Sequence, residues 1–378
     1  MTKIIDEDET NTIEDACRKE FKILTEGHPD SVKLWKWFTE ISIQGIEKQL
    51  DILNIHATYN IGESFYEGLG LPTLNNEVYP ALTYDMKSIV SELIKKGIAT
   101  KNDDGSVGVV FPEETKIPSC VLQKKDGTGL YLTSDLAAIK YRLTNGWNPS
   151  KIIYCVDVRQ QLHLRQAMVI AKMAWPELVK DTELFHAFNG FIKLKEGAMS
   201  TRKGTLIYLD KLIDEGFART KTIIEEKGQS LSDTDIQAIS IGAIKYSYLA
   251  QDREKDITFD WDKALSFEGN SGPYIQYSYV RAKNIVEKAG EIHAFESKKL
   301  TLSEYDRACL RRLSFFDKAI LDSAIKYKPH ILANYCYELA VEFNAFYVHT
   351  PKILEEQDVN LRSFRLALIE KVAETLKK

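Results

Sequence analysis

Hydrophobic positions along the first third of the chain switch between helical and extended spacing. In SVKLWKWFTEISIQGIEKQLDI, residues 31–52, apolar side chains fall at Leu34, Phe38 and Ile41, then at Ile43, Ile46 and Leu50. That spacing predicts a helix with Ser31 as its N-cap, and Gly45 in the interior weakens the prediction. Residues 84–98 predict a second helix. KNDDGSVGVVF and SCVLQKKDGTGLYL then read as short strands around Asp-Gly turns.

From residue 129 onward strand and helix patterns alternate. Gly129 to Leu132 reads as a short apolar strand, and Thr133, Ser134 and Asp135 supply capping chemistry for a helix over Leu136 to Leu143. Ile152 to Val156 is an unbroken apolar run, as expected of a parallel strand buried on both faces. A helix from Gln160 to Met173 follows, then a strand over His186 to Leu194, a basic loop at 199–204 and a helix around Asp210 to Arg219. Such alternation predicts a doubly wound parallel sheet, which binds ligands beyond the carboxyl ends of its strands.

The last third is helical throughout. Tyr305, Cys309, Leu313, Phe316 and Ile320 form one apolar stripe, and Leu332, Tyr335, Leu339, Phe343 and Phe346 form another. With runs around Tyr274 to Gly290 and Leu361 to Leu376, they predict a helical bundle. The organisation expected is therefore α/β followed by all-α: helices and an insertion over 1–128, a Rossmann-type half-domain over 129–262, and helices over 263–378.

Composition narrows this picture by exclusion. At 378 residues the chain exceeds what one core usually serves. With 44% hydrophobic and 28% charged residues, and no apolar run long enough to cross a bilayer, a cytoplasmic address and no membrane contact are expected. The acidic start lacks the plan of a secretory signal. Five dispersed cysteines form no Cys-x-x-Cys pair, and the seven histidines do not cluster, so neither disulfides nor a protein-bound metal are expected. Cys155 and Cys336 read as buried small hydrophobes. A net charge of −5 argues against a general nucleic-acid coat but leaves room for a local basic surface.

Three features carry candidate chemistry. Residues 197–205, GAMSTRKGT, gather hydroxyls, two cations and a hinge glycine: Arg202 and Lys203 suit phosphate oxygens, Ser200 and Thr201 suit hydrogen bonding, and Gly204 suits close backbone approach. A basic surface turn is the ordinary alternative. Tyr131, Asp135 and Gln160 fall at or just past expected strand ends and would face one crevice. Taken singly, Asp135 reads as a helix cap contributing about 1 kcal/mol, and Gln160 as a solvated loop residue. In GPYIQYSYVRAK, aromatic Tyr274 and Tyr277 interleave with Arg281 and Lys283, a pattern suited to stacking on unpaired bases beside phosphates.

GLYLTSDLAAIKYRL, YCVDVRQQLHLRQ, MSTRKGT and FDWDKALSFEGNSGPYIQYSYVRA stand in the order and spacing of arginyl-tRNA synthetases, so the chain resembles that class I family from about residue 17 onward. The resemblance implies arginine-tRNA ligase chemistry, with ATP and Mg2+ as substrate and arginine and tRNA-Arg as the other partners. It further implies that Tyr131, Asp135 and Gln160 hold arginine, Asp135 pairing with the guanidinium. The loop Met199, Ser200, Thr201, Arg202, Lys203 and Gly204 resembles the family's Lys-Met-Ser-Lys-Ser signature. Ala198 stands at its first lysine, and the resemblance implies that Lys203, with Ser200 and Arg202, carries the catalytic charge and hydrogen bonding. The helical region resembles the family's anticodon-binding domain, which implies tRNA contacts for Tyr274, Tyr277, Arg281 and Tyr347.

One family motif has no counterpart. The His-Ile-Gly-His type motif, which binds ATP in the first half of the nucleotide fold, is absent, because no two histidines lie within three positions of each other. The expectation is of a chain that begins beyond that half, stops slightly short at its C-terminus, exposes strand edges and an apolar face, and is inactive alone. A split enzyme with an N-terminal partner and a non-catalytic tRNA-binding relative are the alternatives.

Overall fold

The computed structural model describes residues 12–66, 79–195 and 208–378, and it divides into two units, Met1–Ala187 and Phe188–Lys378. The first unit opens with α1 (Thr12–Thr25) and α2 (Pro29–Ile52). Pro29, not Ser31, starts α2, because the ring's fixed φ suits the first helical turn. Ser31 lies inside the helix, its hydroxyl donating to Glu20 Oε1 at 2.6 Å. No residue of α2 is buried. Leu34, Phe38, Ile41 and Ile46, the stripe read from the sequence, are each about half exposed, as is Trp37.

Helix α3 (Met86–Lys95) carries a reciprocal capping box between Asp85 and Ser88. Strands β1 (Thr100–Lys101), β2 (Val107–Val109) and β3 (Cys120–Gln123) form an antiparallel sheet, and the two Asp-Gly turns supply the positive φ that the reversals need. After β3 the chain departs from expectation. Gly129 only bridges Gln123, Leu130 donates its N–H to the Leu122 carbonyl, and helix α4 (Tyr131–Thr144) begins at once. The apolar residues read as a strand serve the helix instead: Leu132, Leu136 and Ile139 are buried at helical spacing. The expected capping trio does not cap. Thr133 Oγ1 donates to the Leu122 carbonyl and Ser134 Oγ to the Tyr131 carbonyl. Glu92 ties α3 to α4 through Lys140 at 2.7 Å and accepts from Trp175 Nε1 at 2.9 Å. Burial pushes its carboxyl up, but the hydrogen bonds from Lys140, Trp175 and Lys96 outweigh this and hold it down at about 2.

Strand β4 (Lys151–Tyr154) pairs in parallel with β5 (Glu183–His186), and α5 (Gln161–Ala174) makes the crossover. Ile152 is buried but Ile153 and Cys155 are exposed. Burial of this strand on both faces, and of Cys155, was expected. Period-two alternation instead puts Ile153 and Cys155 on the face opposite Ile152, where the described residues leave both exposed.

The expected strand over His186 to Leu194 is two strands. β5 ends in the first unit, and β6 (Ile192–Leu194) pairs in parallel with β7 (Ile257–Phe259) in the second. Gly190 lies against the Lys255 carbonyl where a Cβ would collide, and its N–H donates to the Arg253 carbonyl at 2.8 Å. Between β6 and β7 run α6 (Leu209–Glu226) and α7 (Asp233–Leu249). Beyond lie α8 (Gly272–Ala289), α9 (Glu304–Leu313), α10 (Phe316–Lys326), α11 (Pro329–His349) and α12 (Val359–Lys377). Gly272 starts α8 against the backbone of Gly242, an approach that a side chain would block. The stripe read as continuous through Ile320 is cut at Ser314 and Phe315, where α9 ends, and Ile320 turns outward. The bundle core holds Cys309, Tyr335, Leu339, Phe343, Phe346 and Ile369. Cys336 is half-buried, not buried. Among the described residues no helix is long and apolar enough to cross a membrane.

Candidate active site

Helix α4 puts Tyr131 and Asp135 four residues apart, on one face near its N-terminus. Tyr131 is its first residue and is 72% exposed, whereas the Asp135 side chain retains only 27% of its exposure. Both therefore sit on a helix and not, as expected, at a strand end. Gln160 is the exposed N-cap residue of α5, and His163 follows one turn later. The α4 and α5 groups meet through His163, whose Nε2 lies 2.5 Å from Asp135 Oδ2. An ionised carboxylate only accepts, so the imidazole carries its proton on Nε2. Before Gln160, Asp157 caps the turn Val158–Gln160 by accepting from the Arg159 N–H at 2.8 Å. The Arg159 side chain holds the Asp157 carboxyl below its ordinary range.

Two phenols and a guanidinium complete the neighbourhood. Arg142 Nη1 donates to Tyr154 Oη at 3.0 Å and lies 5.5 Å from that ring's centre. Burial pushes the Tyr154 hydroxyl up to about 12; Arg142 opposes this, and the Asp135 charge adds to it. Burial likewise pushes the Tyr66 hydroxyl up to about 12; Arg142 opposes this, and Tyr141 and then Asp135 add to it. The buried Tyr66 hydroxyl has no hydrogen-bond partner among the described residues. The first unit thus sets a half-buried carboxylate, polar but water-poor, beside neutral phenols. That environment strengthens its attraction for a cation.

His163, Arg142, Tyr154 and Tyr66 escaped the sequence reading. His163 alone left a usable signal: it stands one helical turn after Gln160 in the same motif. The loop residues Met199, Ser200, Thr201, Arg202, Lys203 and Gly204 lie outside the described residues. Within those residues no group of three His, Cys, Asp or Glu side chains is arranged to hold a metal.

In the second unit, three of the four residues chosen for RNA contact come together. The Arg281 guanidinium lies 4.6 Å from the centre of the Tyr277 ring and 4.7 Å from that of Tyr347. It donates to Tyr277 Oη at 3.1 Å and to Asn344 Oδ1, and Asn344 in turn donates to Ser278 at 2.7 Å. Both rings remain about half exposed. They line a cavity of about 410 Å3 with Lys288 and Lys352. Tyr274 stands apart, half-buried against Tyr337 at 5.7 Å between ring centres. A larger cavity of about 970 Å3 sets Arg219 and Lys227 against Glu226, Asp262 and Glu268. That balance of charge gives a polyanion little reason to bind there.

Comparison with known proteins places these features. A profile described as "tRNA synthetases class I (R), catalytic domain" matches residues 1–261, and one described as "DALR anticodon binding domain" matches residues 275–378. The chain is 35% identical over 384 residues to the arginine–tRNA ligase of Fusobacterium nucleatum, covering 99% of this chain and 63% of that protein. It is also 35% identical to the enzyme of Clostridium acetobutylicum, covering 97% of this chain and 61% of that protein. Among solved structures, the arginyl-tRNA synthetase of Plasmodium falciparum superposes with a TM-score of 0.74 at 25% identity, over 98% of this chain and 62% of that one. The Thermus thermophilus arginyl-tRNA synthetase shares the fold with a TM-score of 0.76 at 23% identity, over 99% of this chain and 66% of that one. The chain thus spans somewhat over three fifths of the length of the curated relatives it matches. A class I catalytic domain followed by a DALR helical domain is its architecture, and the chain belongs to the arginyl-tRNA synthetase family.

Proposed function

We propose that the residues present here serve arginine-tRNA ligase chemistry: MgATP-dependent formation of arginyl-adenylate and transfer of arginine to tRNA-Arg, in a cytoplasmic setting. The observation that carries this reading is Asp135, a half-buried carboxylate with one turn of helix to Tyr131 and Gln160 on the neighbouring helix. A planar guanidinium suits such a carboxylate better than a lysine ammonium does. Tyr131 shapes the pocket and offers its hydroxyl, and Gln160 orients the ligand. The loop from Met199 to Gly204 acts on the ATP phosphates, Lys203 and Arg202 countering charge that develops as the arginine carboxylate attacks the α-phosphorus. No general acid or base is required of the protein in that step.

In this proposal the chain alone is inactive or nearly so. No histidine pair stands ready for ATP, and α2 together with the Ile153 face of β4 leaves large apolar side chains half exposed. Arginine-dependent ATP/pyrophosphate exchange, run with and without tRNA, tests this directly. The expected result is exchange at background level; robust turnover by the 378-residue chain would overturn it. The missing histidine motif also favours a second reading, a tRNA-binding relative that performs no activation. Loss of arginine affinity on altering Asp135 would count against that alternative.

Residues 263–378 are proposed as the tRNA-binding domain, with Tyr277, Arg281 and Tyr347 as a stacking and charge platform. Arg281→Ala removes a phosphate-seeking cation and the spacer between two rings, so tRNA affinity should fall about tenfold and the salt slope should lessen by about one unit. Fluorescence anisotropy with labelled tRNA at several salt concentrations measures both. An unchanged affinity and slope would remove Arg281 from the interface. Tyr274→Phe, at a ring packed against Tyr337, should change neither.

A further inference from the structure

We infer that His163 is a positioning residue for arginine: its Nε2–H holds Oδ2 of Asp135 so that the carboxylate presents its Oδ1 edge to the incoming guanidinium. This rests on the reading of Asp135 as the guanidinium partner and assigns a role to a residue outside the arginine-binding set of Tyr131, Asp135 and Gln160.

The geometry is specific. The Nε2 to Oδ2 separation is 2.5 Å, and it is the one hydrogen bond the Asp135 carboxylate makes among the described residues. The outer torsion of an aspartate is broad and two-fold, so an unrestrained carboxylate on a helix samples many planes. A fork of two parallel N–H donors tolerates little such sampling, because both donors must meet oxygens lying in one plane. The imidazole stands on a second rigid element, α5, and its own side chain is 29% exposed, so packing as well as hydrogen bonding restrains it. Gln160 and His163 lie one turn apart on that element, which lets α5 contribute an orienting amide and an orienting imidazole together. A donor takes one lone pair of Oδ2 and leaves the ligand Oδ1 and the remaining lone pair. A group supporting a ligand-binding carboxylate in this way acts through pre-organisation, not direct contact.

The test is an NMR titration of L-arginine into the 378-residue chain and its variants, with tRNA affinity and the melting temperature as controls. His163→Leu keeps the bulk and removes the donor, and it should weaken arginine binding about tenfold with tRNA affinity unchanged. His163→Gln restores an N–H donor and should bring arginine affinity back to within about threefold of the unaltered chain. If the leucine variant binds arginine as tightly as the unaltered chain, or if leucine and glutamine are equally damaging, the positioning role is wrong. Asp135→Ala separates the two layers. Should it leave arginine binding intact, or should the unaltered chain bind no arginine, the pocket reading itself falls; should it abolish binding while His163→Leu is silent, only the present inference does.

Discussion

Asp135→Ala is expected to raise the dissociation constant for arginine at least a hundredfold. Truncating one partner of a desolvated, hydrogen-bonded charge pair costs about 3–5 kcal/mol, because the other charge is left without compensation. At about 1.4 kcal/mol per decade, this corresponds to a loss of roughly two to three and a half orders of magnitude. Asp135→Asn should come close to the same loss despite its equal size, since the charge is what the guanidinium requires. The fold itself should survive. Asp135 is half-buried, its capping role is absent, and the core residues around it, Leu132, Leu136 and Ile139, stay in place. The phenols at Tyr154 and Tyr66 would ionise more readily once a neighbouring negative charge is gone, and ultraviolet titration of the tyrosines reads this. Near-normal arginine affinity in Asp135→Ala would exclude the guanidinium role.

The second large effect concerns stability. In the helical domain, Asp306 on α9 is fully buried and pairs with Arg365 on α12 at 3.1 Å, and Arg365 also reaches Glu356 at 2.9 Å. Asp306 additionally closes the capping box of α9 with Ser303. Asp306→Ala leaves the Arg365 guanidinium buried with half its partners and removes a cap, so the domain should lose about 3–5 kcal/mol. Urea denaturation followed by circular dichroism measures this. A loss under about 1 kcal/mol would mean that the pair contributes no more than an exposed one. Replacing both Asp306 and Arg365 by apolar residues should cost far less than either single change, because no orphaned charge remains.

The same pair sets an acid limit. Burial pushes the Asp306 carboxyl up, but hydrogen bonds from Arg365 and Ser303 outweigh this and hold it below its ordinary range. A depressed folded pKa contributes stability that is complete above the unfolded value, about 4, and disappears as pH falls through the lower folded value. Glu92 in the first unit, held at about 2, acts with the same sign. Both units should therefore weaken as pH falls below about 4, the first unit down to about pH 2, and Asp306→Ala should flatten that dependence in the helical domain.

How much of this was legible beforehand differs by element. The helices over 84–98, 160–173 and 210–219 and the first Asp-Gly hairpin follow from local periodicity and turn chemistry and appear as read, whereas the second Asp-Gly turn leads into α4 and not into a strand. Elements that failed share a cause. Gly129 to Leu132 has the composition of a strand, but a turn commits Leu130 to the Leu122 carbonyl and turns the next apolar residues into one face of α4. His186 to Leu194 looks continuous in pattern, yet its two ends find partners in different sheets. Cys155 sits in an apolar run but on the uncovered face of β4. In each case a partner distant in sequence outweighed the local signal.

Residue identity, spacing and order by themselves determined the family, the two kinds of domain and the candidate residues, because long motifs in sequence record chemistry directly. Tertiary structure decided which of those residues meet. Asp135 and His163 are 28 positions apart, and Arg281 and Tyr347 are 66 apart. Helical periodicity places each residue on a face, but only the packing of α4 on α5, and of α8 on α11, brings the faces to hydrogen-bonding and stacking distance. Such packing depends on buried surfaces contributed by many distant residues, so no local stretch of the chain encodes it.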